Sequence, residues 1–211
     1  MKKITIALIM VISLIAPIQT MAESVTQNGT IIEPLEQNIE QIIDEITSEP
    51  RPINSDAIQN VKEYISKYFG NLGYDNIEYQ KFEYNDENNE NAIRHSSQAD
   101  VLLASTVEDA IVDGIGENII VTKNSSIDTT KNLIISAHYD SAEDSVGAND
   151  NGSGVAAVLE LARILKDTEI PYNIKFILFS GEEKYMLGSR WYVGKLTEDE
   201  RKQIIGVINI D

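Results

Sequence analysis

The sequence contains no cysteine and little positive charge. Without cysteine no disulfide can stabilise the fold, so the core depends on side-chain packing and on any bound metal. The 17 lysine and arginine residues are outnumbered by 34 aspartate and glutamate residues, which gives a formal net charge of -17 at pH 7. An acidic chain is poorly suited to bind the phosphate backbone of a nucleic acid, and we expect no nucleic-acid partner.

Long apolar segments are also scarce. The only candidate, residues 4–18, follows Lys2 and Lys3 and is too short to span a bilayer comfortably. A basic start, a short apolar run and small residues near Ala22 are typical of a secretory signal peptide. We predict cleavage after Ala22, a secreted, extracellular protein and no stable membrane anchor.

The remaining chain divides at a proline pair. Residues 35–46 carry isoleucines at helical spacing, and Pro50 and Pro52 separate this helix from the rest of the chain. We predict that residues 23–50 form a helical leader or propeptide and that residues 51–211 form the main domain. Within that domain, a helix capped by Asn54 or Ser55 is expected first.

Alternating strand and helix patterns predict an α/β fold. Five segments read as strands, at residues 77–84, 117–123, 132–137, 174–179 and 204–210, and the last three are apolar runs typical of buried strands. Between the last three, residues 152–166 predict a helix and residues 185–203 predict one or two helices. Thr197 and Glu200 have the spacing of a capping box within the second helical segment. The last three strands should therefore be parallel.

Polar side chains follow each of these three strands. They are His138, Asp140, Asp150, Glu182, Glu183 and Asp211. The carboxyl ends of parallel strands share one edge of a sheet, so these side chains should converge. Closely spaced carboxylates repel one another unless they are protonated or bind cations. The sequence therefore predicts a divalent-metal site, and one imidazole among carboxylates suits zinc, with manganese or cobalt as alternatives.

Simpler roles are open for some of these residues. Asp150 could cap the helix that starts near Gly152, and Glu182 and Glu183 could be a solvated pair. A calcium-binding EF-hand pattern does not fit the segment between Asp140 and Gly154.

Five sequence blocks in order resemble a known enzyme family. They are AHYDS at residues 137–141, GANDNGSG at 147–154, FSGEE at 179–183, LGS at 187–189 and VINID at 207–211. Together they resemble the signatures of secreted di-zinc aminopeptidases of the bacterial leucyl type. This resemblance implies a three-layer α/β/α sandwich with a mixed, mostly parallel sheet, and hydrolysis of peptides that have a free N-terminus.

The resemblance also implies a role for each polar residue. His138 and Asp211 would bind one Zn²⁺ ion, Asp150 would bridge two ions, and Glu183 would bind the second. Glu182 would be the general base. Asp140 would orient the imidazole through its second nitrogen.

One ligand expected in this family is missing. Its second zinc takes a histidine well downstream of the position matching Asp211, where this chain ends. The only other histidine, His95, lies in a polar stretch and reads as a solvated loop residue. We therefore expect a catalytic domain that is incomplete at its C-terminus. A related carboxypeptidase or glutaminyl cyclase, or an inactive metal-binding remnant, are the alternatives.

Overall fold

The computed structural model describes residues 26–27, 30–31, 34–85 and 113–211. The signal peptide at residues 1–22 and His95 lie outside these residues, so both stay predictions. In the described part of the chain, no helix has the length and apolar character needed to cross a membrane.

Two sheets are present among the described residues. A small antiparallel ladder joins β1 (Thr26–Gln27) and β2 (Thr30–Ile31). The main sheet comprises β3 (Ile77–Tyr84), β4 (Gly114–Lys123), β5 (Asn132–His138), β6 (Asn173–Phe179) and β7 (Ile204–Asn209). Their spatial order is β3-β4-β6-β5-β7. β5 pairs in parallel with β6 and β7, whereas β4 is antiparallel to β3 and β6. The predicted mixed sheet is confirmed.

Helices cover both faces of this sheet. They are α1 (Glu36–Ile46), α2 (Asp56–Asn71), α3 (Ser153–Leu165), α4 (Leu187–Lys195) and α5 (Glu198–Gln203). One face packs with α1, α2 and α3 in a core that includes Ile42, Phe69 and Phe176. On the other face, Tyr192 of α4 packs with Ile134 and its sheet neighbours. The three-layer α/β/α arrangement is therefore confirmed.

The element boundaries follow the sequence patterns closely. β5 and β6 each exceed their apolar runs by one residue, and the segment at residues 185–203 forms two helices. The hydroxyl of Thr197 accepts a hydrogen bond from Glu200 N, and the Glu200 carboxylate accepts one from Thr197 N, as expected of a capping box. Ser55 caps α2 by accepting from Ile58 N.

Helix α1, inside the predicted leader, packs into the main core. Its buried residues are Ile39, Ile42 and Ile46. The fully buried carboxylate of Glu160 on α3 also accepts hydrogen bonds from Leu35 N at 2.8 Å and from Asn38 Nδ2 at 2.5 Å. The division after residue 50 stays a prediction, but α1 and α3 share one core.

The packing of α1 leads to a stability prediction. Ile42 is 0% exposed, so Ile42→Ala should lower the free energy of unfolding by about 2–5 kcal/mol, because a cavity replaces the buried side chain. Gln41→Ala, at the neighbouring exposed position, should change it by less than about 0.5 kcal/mol. Urea unfolding of both variants measures the difference. Equal, small effects would contradict a core role for α1.

Candidate metal centre

The carboxyl ends of β5 and β7 bring a histidine and two aspartates together. His138 ends β5 and is 3% exposed, with its Nε2 3.0 Å from Asp150 Oδ1 and 3.3 Å from Asp211 Oδ1. Among the described residues, these three offer ligand atoms that all lie within 4.8 Å of one another. The structure therefore brings together three of the four predicted metal ligands.

Asp140 connects this histidine to the next strand. Its carboxylate is fully buried and accepts hydrogen bonds from Glu182 N and Glu183 N, each at 3.1 Å. Its Oδ1 also lies 3.4 Å from His138 Nδ1, although the geometry is not that of a hydrogen bond. Asp140 therefore faces the imidazole and also fixes the turn that carries the two glutamates, and its predicted role in orienting His138 stays a prediction.

An irregular turn, Ala148–Gly152, carries Asp150 between β5 and α3. It contains a cis peptide bond between Asp150 and Asn151. The buried side chain of Asn151 donates from Nδ2 to Ile210 O at 2.8 Å and accepts at Oδ1 from Gly154 N at 2.9 Å. Asn151 therefore links the end of β7 to the start of α3, which places Asp150 next to Asp211.

The two glutamates after β6 point to different surroundings. Glu183 is exposed, and its Oε1 accepts a hydrogen bond from Ala142 N at 3.1 Å. Glu183 is not part of the His138, Asp150 and Asp211 group. Glu182 is half-buried and lines the same cavity as His138 and Asp211. The division of roles between the two glutamates stays a prediction.

Burial and mutual repulsion shift the titration of these groups. Burial lowers the pKa of His138, but Asp140, Glu182 and Asp211 more than offset this effect and raise it to about 9. Burial raises the pKa of Glu182, His138 partly offsets this effect, and Asp211 and Asp140 raise the pKa further. The pKa of Glu183 is also raised, first by burial and then by Asp150. The two glutamates are thus less acidic than free side chains, which suits proton transfer.

A cavity of about 270 Å³ adjoins the cluster. Its polar lining includes His138, Glu182 and Asp211. The apolar residues that line it come from β5, β6, α4, β7 and the segments beside them: Ile134, Phe179, Met186, Tyr192, Val193, Leu196, Ile204 and Val207. The charged cluster therefore lies at one side of a mainly apolar space.

Two supporting residues are absent from the sequence predictions. Asn151 follows the predicted ligand Asp150 directly, so its position in the Asp/Asn/Gly-rich loop was a usable signal. Arg51, in contrast, lies between two prolines far from the ligand motifs, and yet it is fully buried and donates to main-chain carbonyls after β5. No local pattern distinguishes it from an ordinary turn residue.

The donor set fits a divalent ion. The Nδ1 of His138 faces Asp140, which favours a proton on that nitrogen and leaves Nε2 directed at the two aspartates. One imidazole nitrogen with carboxylate oxygens is a common ligand set for zinc.

Residues 118–211 match the model of one known protein family, Peptidase family M28. This part of the chain is therefore similar to the M28 peptidases. The matched residues include all six site residues predicted from the sequence. Aminopeptidase YwaD of Bacillus subtilis (strain 168) is 42% identical over 103 residues, which cover 48% of this chain and 23% of that protein. The match therefore spans less than a quarter of the length of that relative.

Solved structures share the fold. A zinc aminopeptidase from Bacillus subtilis superposes with a TM-score of 0.67 at 18% identity, covering 83% of this chain and 68% of that one. The Porphyromonas gingivalis glutaminyl cyclase gives a TM-score of 0.59, also at 18% identity, covering 83% of this chain and 56% of that one. These structural neighbours confirm the α/β architecture.

The three-residue cluster leads to a metal-binding prediction. Asp150→Asn and Asp211→Asn each keep the side-chain shape but remove an anionic oxygen. We expect each to weaken Zn²⁺ affinity at least about 100-fold, more than is typical when a supporting partner is lost. Competition with a chromophoric chelator measures the affinity. Asp144→Asn, an exposed carboxylate in the same loop, is the matched control, and an equal effect there would contradict the assignment.

Proposed function

We propose that this protein is a zinc-dependent aminopeptidase that removes N-terminal residues from peptides. The observation that carries the proposal is the placement of Glu182 beside His138 and Asp211 on one cavity, with Asp150 completing the cluster. The M28 match and the aminopeptidases among its relatives support the same reaction class.

His138, Asp150 and Asp211 are the residues that would bind the first Zn²⁺ ion. Glu183, with Asp150, would bind a second. When bound, zinc supplies Lewis acidity, which polarises a carbonyl oxygen and makes water easier to deprotonate. Asp140 would keep the His138 imidazole in one orientation by facing its Nδ1.

Glu182 would move the proton that peptide hydrolysis requires. Its carboxylate takes a proton from the attacking water, whose oxygen forms a bond to the scissile carbonyl carbon. The same proton then passes to the leaving nitrogen as the carbon–nitrogen bond breaks. Burial and the neighbouring carboxylates raise the pKa of Glu182, so its protonated form is a less costly intermediate than that of a free glutamate.

The cluster and the cavity together suit a particular chain end. A free α-ammonium is attracted to the carboxylates of Glu182, Asp150 and Asp211. The apolar residues around the cavity, including Phe179 and Leu196, suit an apolar side chain on the terminal residue. A peptide that begins with leucine satisfies both requirements.

A paired substrate test checks this proposal. The protein with Zn²⁺ should release the N-terminal residue from a leucyl peptide but not from its N-acetylated copy, because acetylation removes the ammonium charge. Chromatography of the released amino acid provides the measurement, and chelator treatment should abolish release. Equal cleavage of the acetylated peptide would contradict the proposal. Cyclisation of an N-terminal glutamine peptide without cleavage would instead indicate a glutaminyl cyclase.

Substitution of Glu182 tests the general base. Glu182→Gln keeps the shape but cannot accept the proton, so kcat should fall about 10²- to 10⁴-fold while Zn²⁺ content stays at the wild-type level. Steady-state kinetics and metal analysis of the same sample measure the two effects. Glu143→Gln, an exposed glutamate on the preceding loop, should change neither quantity. Full activity of Glu182→Gln would exclude it as the base.

A further inference from the structure

Arg51 is a fully buried cation that comes from outside the matched family segment. It is 0% exposed and lies between α1 and α2, flanked by Pro50 and Pro52. A buried guanidinium is rare unless its donors are satisfied, since removing it from water is costly. Its partners therefore indicate what this position does.

The Arg51 side chain donates to carbonyl oxygens at both ends of one loop. Its Nε donates to Tyr139 O at 2.8 Å, directly after the ligand His138. Its Nη2 donates to Gly147 O at 3.0 Å, and its Nη1 donates to Val146 O. The two ends of the loop between β5 and the turn that carries Asp150 are thus joined through one planar group.

The main chain of Arg51 also forms hydrogen bonds with this loop. Arg51 N donates to Ser141 Oγ at 3.0 Å, and Ser141 N donates to Arg51 O at 3.3 Å. Ser141 Oγ also lies 2.8 Å from Ser145 O, its acceptor within the loop. Both the side chain and the backbone of Arg51 therefore contact the segment that separates His138 from Asp150.

Gly147 shows how closely this end of the loop is packed. Its φ is +57°, and a Cβ there would lie 2.3 Å from Asp150 O and 2.7 Å from Ser141 Cβ. Its carbonyl accepts from Gly152 N at 2.8 Å as well as from Arg51 Nη2. The hydrogen bond from Arg51 is therefore made at the point where the loop joins the Asp150 turn.

The charge of Arg51 also lies within the field of the site. Burial lowers the pKa of Arg51, while the nearby carboxylates of Asp140, Asp150 and Glu183 favour its charged form. A lysine would keep this charge, but a single ammonium cannot reproduce the planar fork that reaches carbonyls at both ends of the loop. The exchange of arginine for lysine thus separates geometry from charge.

We propose that Arg51 is a positioning residue that sets the spacing between His138 and Asp150 by joining both ends of the loop between them, and thereby strengthens metal binding. This inference rests on the metal-dependent function proposed above. Arg51 acts through the loop and touches neither substrate nor reacting atoms. Its loss should therefore change the metal site of a chain that is still folded.

The test compares Zn²⁺ affinity in Arg51→Lys and wild type, using the whole chain and a chelator competition well below the unfolding temperature. We expect affinity to fall about tenfold or more, as is typical when a partner outside the ligand set is lost. The visible absorption of the Co²⁺-substituted protein should also change, because it reports ligand geometry. Unchanged affinity and an unchanged spectrum would overturn the proposal.

Arg163→Lys is the matched control. Arg163 lies in the last turn of α3, and its guanidinium contacts Glu160 at 2.7 Å through Nη2 and at 3.0 Å through Nε, so the exchange also disturbs an arginine-dependent structural contact. It should lower thermal stability but leave Zn²⁺ affinity within about twofold of wild type. An equal loss of affinity in both variants would show a general effect of destabilisation and overturn the specific role of Arg51.

Ser141→Ala provides a second route if Arg51→Lys fails to fold. It removes the acceptor of Arg51 N and one internal contact of the loop, and we expect a loss of Zn²⁺ affinity of about threefold or more, in the same direction. Wild-type affinity in Ser141→Ala would then overturn the proposal. If the wild-type chain binds no Zn²⁺, the proposed function itself fails. If the wild-type chain binds Zn²⁺ and the variants bind it with the same affinity, the proposed function stands and the proposed role of Arg51 does not.

Discussion

The buried carboxylate of Asp140 joins two neighbouring strand ends, and the geometry of the site depends on that connection. It accepts hydrogen bonds from Glu182 N and Glu183 N and faces His138 Nδ1. An unsatisfied charge at this depth would cost several kcal/mol, on the order of the stability of a small domain. The two main-chain donors reduce that cost, and they also fix the β6 turn relative to β5. One anion thus orients both an imidazole and the neighbouring glutamates.

The same region concentrates negative charge, and within residues 34–85 and 113–211 both His138 and Arg51 lie near it. The pKa of His138 rises to about 9 because its carboxylate neighbours outweigh its burial. The carboxylates of Asp140, Asp150 and Glu183 favour the charged form of Arg51. The hydrogen bonds of its side chain, however, go to carbonyl oxygens of the loop. Since His138 must lose its proton to bind a metal, a divalent ion would replace that positive charge.

A feature of this fold can be predicted from the sequence when residues close to one another in the chain determine it. β5 and β6 are continuous apolar runs with few interpretations, and the capping box at Thr197 follows from two residues. The convergence of His138, Asp150 and Asp211 followed from strand order, because parallel strands end at one edge. The separation of Glu183 from that group could not be predicted, since it depends on the direction of one side chain. The contacts of Arg51 could not be predicted either, because its partners are about ninety residues away in the sequence.

The contacts of Arg51 extend the candidate site to residues that precede the family match. The family match begins at residue 118, and every predicted ligand lies within it. Yet α1 fills the core beneath α3, whose first residues follow the Asp150 turn, and Arg51 joins the loop between His138 and Asp150. The predicted ligands thus lie in the matched segment, whereas the proposed role of Arg51 makes their spacing depend partly on residues that precede it. A chain with the same motifs but a different N-terminal segment would keep the chemistry of the ligands and lose part of their placement.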